Sequence, residues 1–78
     1  MKGPVKDEMK VLLVYSTSHA IRIEKVLKSK GIACKLVPVP RHLSSDCGIC
    51  VRVRAVEATA VTQMVEEAGI ETVGMYDL

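Results

Sequence analysis

Two of the three cysteines in this 78-residue chain fall in one short run, Ser44-Ser45-Asp46-Cys47-Gly48-Ile49-Cys50, set between two apolar stretches. A thiol on a glycine-bearing turn can reach solvent and lose its proton, whereas one inside an apolar run is usually a small inert hydrophobe. Gly48 would allow a positive φ and let the turn present backbone N–H groups as an anion nest, with Ser44 and Ser45 adding hydroxyl donors. Donors so placed favour the charged form of Cys47, as thiolate, persulfide or selenide. The C-x-x-C spacing leaves other readings open: a dithiol–disulfide switch, half of a metal site completed by Cys34 or a histidine, or a hairpin turn whose cysteine is merely exposed.

Strand parity separates the two thiols. Residues 49–54 (Ile-Cys-Val-Arg-Val-Arg) alternate, and Cys50 shares its parity with Arg52 and Arg54 rather than with Ile49, Val51 and Val53. Cys50 is therefore expected on the face of the sheet turned away from the helices, as a resolving or relay thiol on an open face or as a partly buried spectator. Cys34, early in an edge strand, reads as structural. Arg52 and Arg54 read as a solvated strand face. Pro38, Pro40, Arg41 and His42 form a rigid approach to the cysteine loop, with Arg41 a candidate anion contact.

The elements that must position this loop come in two similar halves. Residues 9–15 are a β-branched and apolar run closed by Ser16-Thr17-Ser18, a strand followed by a helix start. Ala20, Ile23, Val26 and Leu27 then recur at helical spacing, and Gly31-Ile32 reads as a left-handed stop with its apolar follow-on. The same grammar returns at a constant offset of 38 residues, from Val11 to Ile49 and from Gly31 to Gly69, with Ala58, Val61, Val65 and Ala68 as the second helical stripe. Final strands are expected near residues 34–39 and 71–76. A βαββαβ order in one small domain predicts an α+β, ferredoxin-like sandwich: a four-stranded antiparallel sheet, first and third strands central, both helices on one face.

That topology brings the end of the first strand to the same end of the sheet as the turn between the second and third. Ser16, Thr17, Ser18 and His19 should then lie beside Cys47, where free N–H groups and the positive helix end favour an anion. His19 would orient or protonate a bound chalcogen, or simply face solvent. Leu12 and Val14 are expected to project onto the side without helices, and homodimerisation through the sheet would cover them.

Composition narrows the classes. Residues 1–8 are polar and expected to be disordered, and residues 9–78 form the single domain. There is no apolar signal region or membrane-length apolar run, and the odd cysteine count argues against a disulfide framework, so a reduced, cytoplasmic protein is expected. A net charge of +2 and only two aromatic residues, both tyrosines, do not suit a nucleic-acid surface. No catalytic carboxylate pair, phosphate loop or nucleophile triad is visible, and neither a cofactor nor a metal is required.

Ser16-Thr17-Ser18-His19-Ala20, Gly31-Ile32, Pro38-Val39-Pro40-Arg41 and above all Ser44-Ser45-Asp46-Cys47-Gly48 give the chain a resemblance to the Se/S carrier protein-like family of small bacterial domains, over residues 9–76. The resemblance implies a thiol carrier rather than an enzyme, holding sulfur or selenium on Cys47, the position matching the motif's cysteine, as a persulfide or perselenide. Its partners would be a chalcogen donor such as a cysteine desulfurase and an acceptor protein. Cys50 is not expected in every member. A redox switch using Cys47 and Cys50, or a small regulatory or interaction module, remains the competing reading.

Overall fold

The computed structural model describes residues 8–43 and 47–78. Two strand-helix-strand halves follow one another: β1 (Met9–Leu13), α1 (Thr17–Ser29) and β2 (Cys34–Pro38), then β3 (Ile49–Arg54), α2 (Ala58–Glu67) and β4 (Gly74–Asp77). A single 3-10 turn, Ala55–Glu57, leads into α2. The strands form one antiparallel sheet in the order β2-β3-β1-β4, so β1 and β3 are central and β2 and β4 are edges. This is the α+β, ferredoxin-like arrangement expected from the doubled pattern. Pro38 sits on an edge strand, where its missing N–H costs no rung.

Both helices end by the same device. Gly31 and Gly69 take φ of 78° and 74°. In α1 the Ile32 N–H reaches back to Leu27 O (2.9 Å) and Gly31 N–H to Lys28 O (3.1 Å). In α2 the Ile70 N–H reaches Val65 O (3.2 Å) and Gly69 N–H reaches Glu66 O (3.0 Å). These paired bonds satisfy carbonyls that would otherwise be orphaned, and in each case an apolar residue follows the glycine onto the core.

Leu12 of β1 stands opposite Val51 of β3, and partners in an antiparallel ladder share a face. On that face Leu12, Val14, Val51 and Val53 pack with Ala20, Ile23 and Leu27 of α1 and Val61 and Val65 of α2. Leu12 and Val14 thus face the helices, contrary to the expectation that they point away. Residues 11–14 are apolar throughout, so the run itself carries no alternation to reveal its parity, and the register with β3 decides it.

Val11 and Leu13 project to the other side with Cys50, and none of the three is open to solvent (0%, 2% and 0% exposed). They are covered by Val37, Val39 and Leu43. After β2 the chain makes a turn closed by Leu43 N–H to Pro40 O (3.0 Å). His42 Nε2 lies 3.3 Å from Asp77 O on β4, the opposite edge of the sheet. Asp77 is itself held to β1 by Lys10 Nζ at 2.8 Å. Residues 39–43 therefore cross the helix-free face from one edge toward the other. The uncovered apolar patch that argued for a sheet-to-sheet dimer does not exist on the single chain, because the approach to the cysteine loop doubles as a cover.

Glu8, assigned above to the disordered tail, accepts a hydrogen bond from Ala55 N–H at 2.9 Å. The remainder of that segment, residues 1–7, lies outside the described residues.

Candidate functional site

Leu13, the last residue of β1, is opposite both Cys50 of β3 and Gly74 of β4, and Pro38 at the end of β2 is opposite Ile49. One end of the sheet thus gathers the start of α1 and the return of the chain through Cys47 and Gly48 into β3. The loop is closed at its base by Val39 N–H to Gly48 O (3.2 Å), and Gly48 takes φ of 78°, a conformation that L side chains rarely adopt.

Ser16 holds an extended backbone (φ −155°, ψ 161°) and N-caps α1, its hydroxyl accepting from His19 N–H at 3.3 Å. The His19 ring returns to the same hydroxyl, with Nδ1 2.6 Å from Ser16 Oγ. Ala20 N–H bonds Ser16 O (3.2 Å). The first two helical amides, of Thr17 and Ser18, make no hydrogen bond with the described residues. Thr17 Oγ1 lies 3.8 Å from Cys47 Sγ. Cys47 is half-buried and leans on the helix-side core. The arrangement is a reachable thiol beside a hydroxyl and two uncommitted amides at a helix start, a setting that suits sulfur bearing negative charge.

The sequence-derived residues do not all converge. Thr17 reaches the thiol, Ser16 and His19 build the helix start, and Ser18 is exposed in the first turn. Arg41 is exposed on the turn across the sheet and makes no hydrogen bond or ion pair with the described residues. Ser44 and Ser45 lie outside the described residues.

Cys50 faces away from the helices, but the expected open face is closed over it. It is fully buried, with Sγ 3.8 Å from Pro38 O. Burial pushes its thiol pKa up, and the nearby Cys47 adds to that. Cys47 packs on the helix side of the sheet and Cys50 on the other. A disulfide needs converging Cβ vectors, and packing against opposite faces of the sheet does not favour that convergence.

Cys34 stands opposite Val53, toward the other end of the sheet from Cys47, and burial and Glu24 raise its pKa against the pull of Lys28. No three His, Cys, Asp or Glu side chains converge on a common point among the described residues.

The residues that sequence reasoning missed are Val37, Val39 and Leu43. Their signal was the alternation of Val37 and Val39 across Pro38, continued by an apolar residue at 43 within a proline-rich stretch.

The family model described as "Putative Se/S carrier protein-like" matches residues 9–77. The chain belongs to that family. The match takes in both halves of this Se/S carrier-like domain, from the first strand through the Cys47 loop to the last. No curated protein and no solved structure matches the chain.

Proposed function

We propose that this protein carries a sulfur or selenium atom on Cys47 between a donor and an acceptor protein, without itself catalysing the chemistry that mobilises the atom. The observation that carries the reading is the placing of the Cys47 thiol 3.8 Å from Thr17 Oγ1 at the start of α1, in a member of a family described as carrier-like.

Loading needs no external oxidant. The Cys47 thiolate attacks the terminal sulfur of a donor persulfide, a new S–S bond forms on Cys47, the donor's S–S bond breaks, and the donor leaves as a thiolate that takes up a proton. Delivery is the reverse step toward an acceptor thiol. The perselenide version exchanges selenium for the terminal sulfur. The uncommitted amides of Thr17 and Ser18, the Thr17 hydroxyl and the positive end of α1 stabilise the terminal anion, with Ser44 and Ser45 as further donors. The helix end contributes about 0.3–1 kcal/mol at an exposed site. No helix among the described residues is long and apolar enough to cross a membrane. We place the protein in the bacterial cytoplasm, where thiols stay reduced.

The test is intact-mass analysis after incubation with a cysteine desulfurase and cysteine, or with the corresponding selenium source. One added chalcogen, removable by a thiol reductant and lost in Cys47→Ser, is the expected result. An adduct of the same yield in Cys47→Ser would overturn the assignment.

A further inference from the structure

The helix-free face of the sheet carries a second feature that chalcogen carriage does not use. Arg52 of β3 stands directly opposite Lys35 of β2. Antiparallel partners share a face with Cβ atoms about 5 Å apart, and like charges so placed weaken a sheet. Arg54, next along the same face, has its own acid: Nε lies 3.3 Å from Glu57 Oε1 and Nη2 lies 3.1 Å from Glu57 Oε2. Neither the Arg52 nor the Lys35 side chain makes a hydrogen bond or ion pair with the described residues, and Arg52 is half-buried.

These cations border a recess of about 210 Å³, whose apolar wall on this face comes from Met9 and Ala33. At about 30 Å³ of liquid per water molecule, that is room for roughly seven waters or one small organic molecule. Residues 39–43, which cover Val11, Leu13 and Cys50, contribute nothing to its lining.

We infer that this recess binds a small organic oxyanion, a carboxylate or a phosphate monoester, at a site separate from Cys47. The guanidinium fork of Arg52 takes two oxygens in parallel and Lys35 adds a point charge, so the anion turns a repulsive cross-strand pair into a bridged one. The apolar wall receives the carbon end of the molecule.

The inference is tested by NMR titration of amide shifts on the whole chain, in parallel arms with butyrate and with butyl phosphate. Saturable shifts centred on Lys35, Arg52 and Arg54 are expected in at least one arm, and the arm that saturates identifies the oxyanion. Arg52→Gln should weaken that binding about tenfold or more, as loss of a charge-assisted pair does. Lys35→Gln should weaken it as well, and Cys47→Ser should leave it unchanged. Shifts that stay linear in concentration in both arms, or binding equal to the parent in both Arg52→Gln and Lys35→Gln, would overturn the site.

Discussion

Replacing Cys50 by serine separates a one-thiol carrier from a two-thiol device. Cys50 is fully buried among Val11, Leu13, Val37, Val39 and Leu43, and the acceptor its thiol addresses, Pro38 O, is already 3.8 Å from the sulfur. A serine hydroxyl has a shorter bond from Cβ, so it falls outside hydrogen-bonding range of that carbonyl and is left unsatisfied in an apolar setting. That costs about 1–3 kcal/mol. For a domain of this size the loss corresponds to a fall in Tm of about 5–20 °C. Cys50→Ala, which removes the sulfur without burying a polar group, should cost less, about 1 kcal/mol. Cys47→Ser, at a half-buried loop position, should stay within about 0.5 kcal/mol of the parent. Urea denaturation followed by circular dichroism measures stability, and intact mass after loading measures carriage. Cys50→Ser should lose stability and keep its chalcogen, while Cys47→Ser does the reverse. A Cys50→Ser protein that melts like the parent but no longer takes up or releases the chalcogen would refute the separation of the two thiols.

Further outcomes follow from the same geometry. Thr17→Val deletes the hydroxyl beside Cys47 and should shorten the lifetime of the loaded form about two- to tenfold, the scale of one hydrogen bond, as read by persulfide decay followed by mass. Ser16→Ala removes the cap of α1 and the partner of His19, and should cost about 1 kcal/mol in urea denaturation. Gly31→Ala and Gly69→Ala should be equally destabilising, by about 1–2 kcal/mol each, because both glycines hold positive φ and an added Cβ meets nothing within 4 Å at either. Asp77 has its carboxyl pKa lowered by the hydrogen bond and charge of Lys10, so its contribution is present above the unfolded carboxylate value and lost as pH falls through the lower folded one. Hydrogen exchange of the β4 amides, corrected for its intrinsic pH dependence, should lose protection on acidification through that range.

Much of the fold was legible because local signals were redundant. The offset between Gly31-Ile32 and Gly69-Ile70 located both helix ends, and the alternation of Ile49 to Arg54 located β3 with its faces. The parity of β1 was not legible, since residues 11–14 are buried on both sides and only pairing with Val51 determines which way Leu12 points. The last strand begins at Gly74 rather than near residue 71, because Ile70 is drawn into the core by the helix stop and Val73 N–H first bonds Leu13 O at 2.8 Å. At the site, the neighbourhood of Cys47 and the start of α1 follows from topology. The closure over Cys50 does not, since it depends on how a proline-rich segment folds back across a sheet.

That closure bears on how such a carrier would meet its partners. Residues 39–43 bury Val11, Leu13 and Cys50 from within the chain, so those three side chains need no second copy to cover them. The same stretch is also the tether of Cys47: its side chains are pinned to the sheet while its far end leads to the thiol. A donor enzyme that reaches Cys47 by pulling the loop outward would have to lift Val39 and Leu43 off Val11 and Leu13, exposing apolar surface as it did so. A partner that brings its own reactive group down to the end of the sheet would not, and that is the cheaper encounter for this fold.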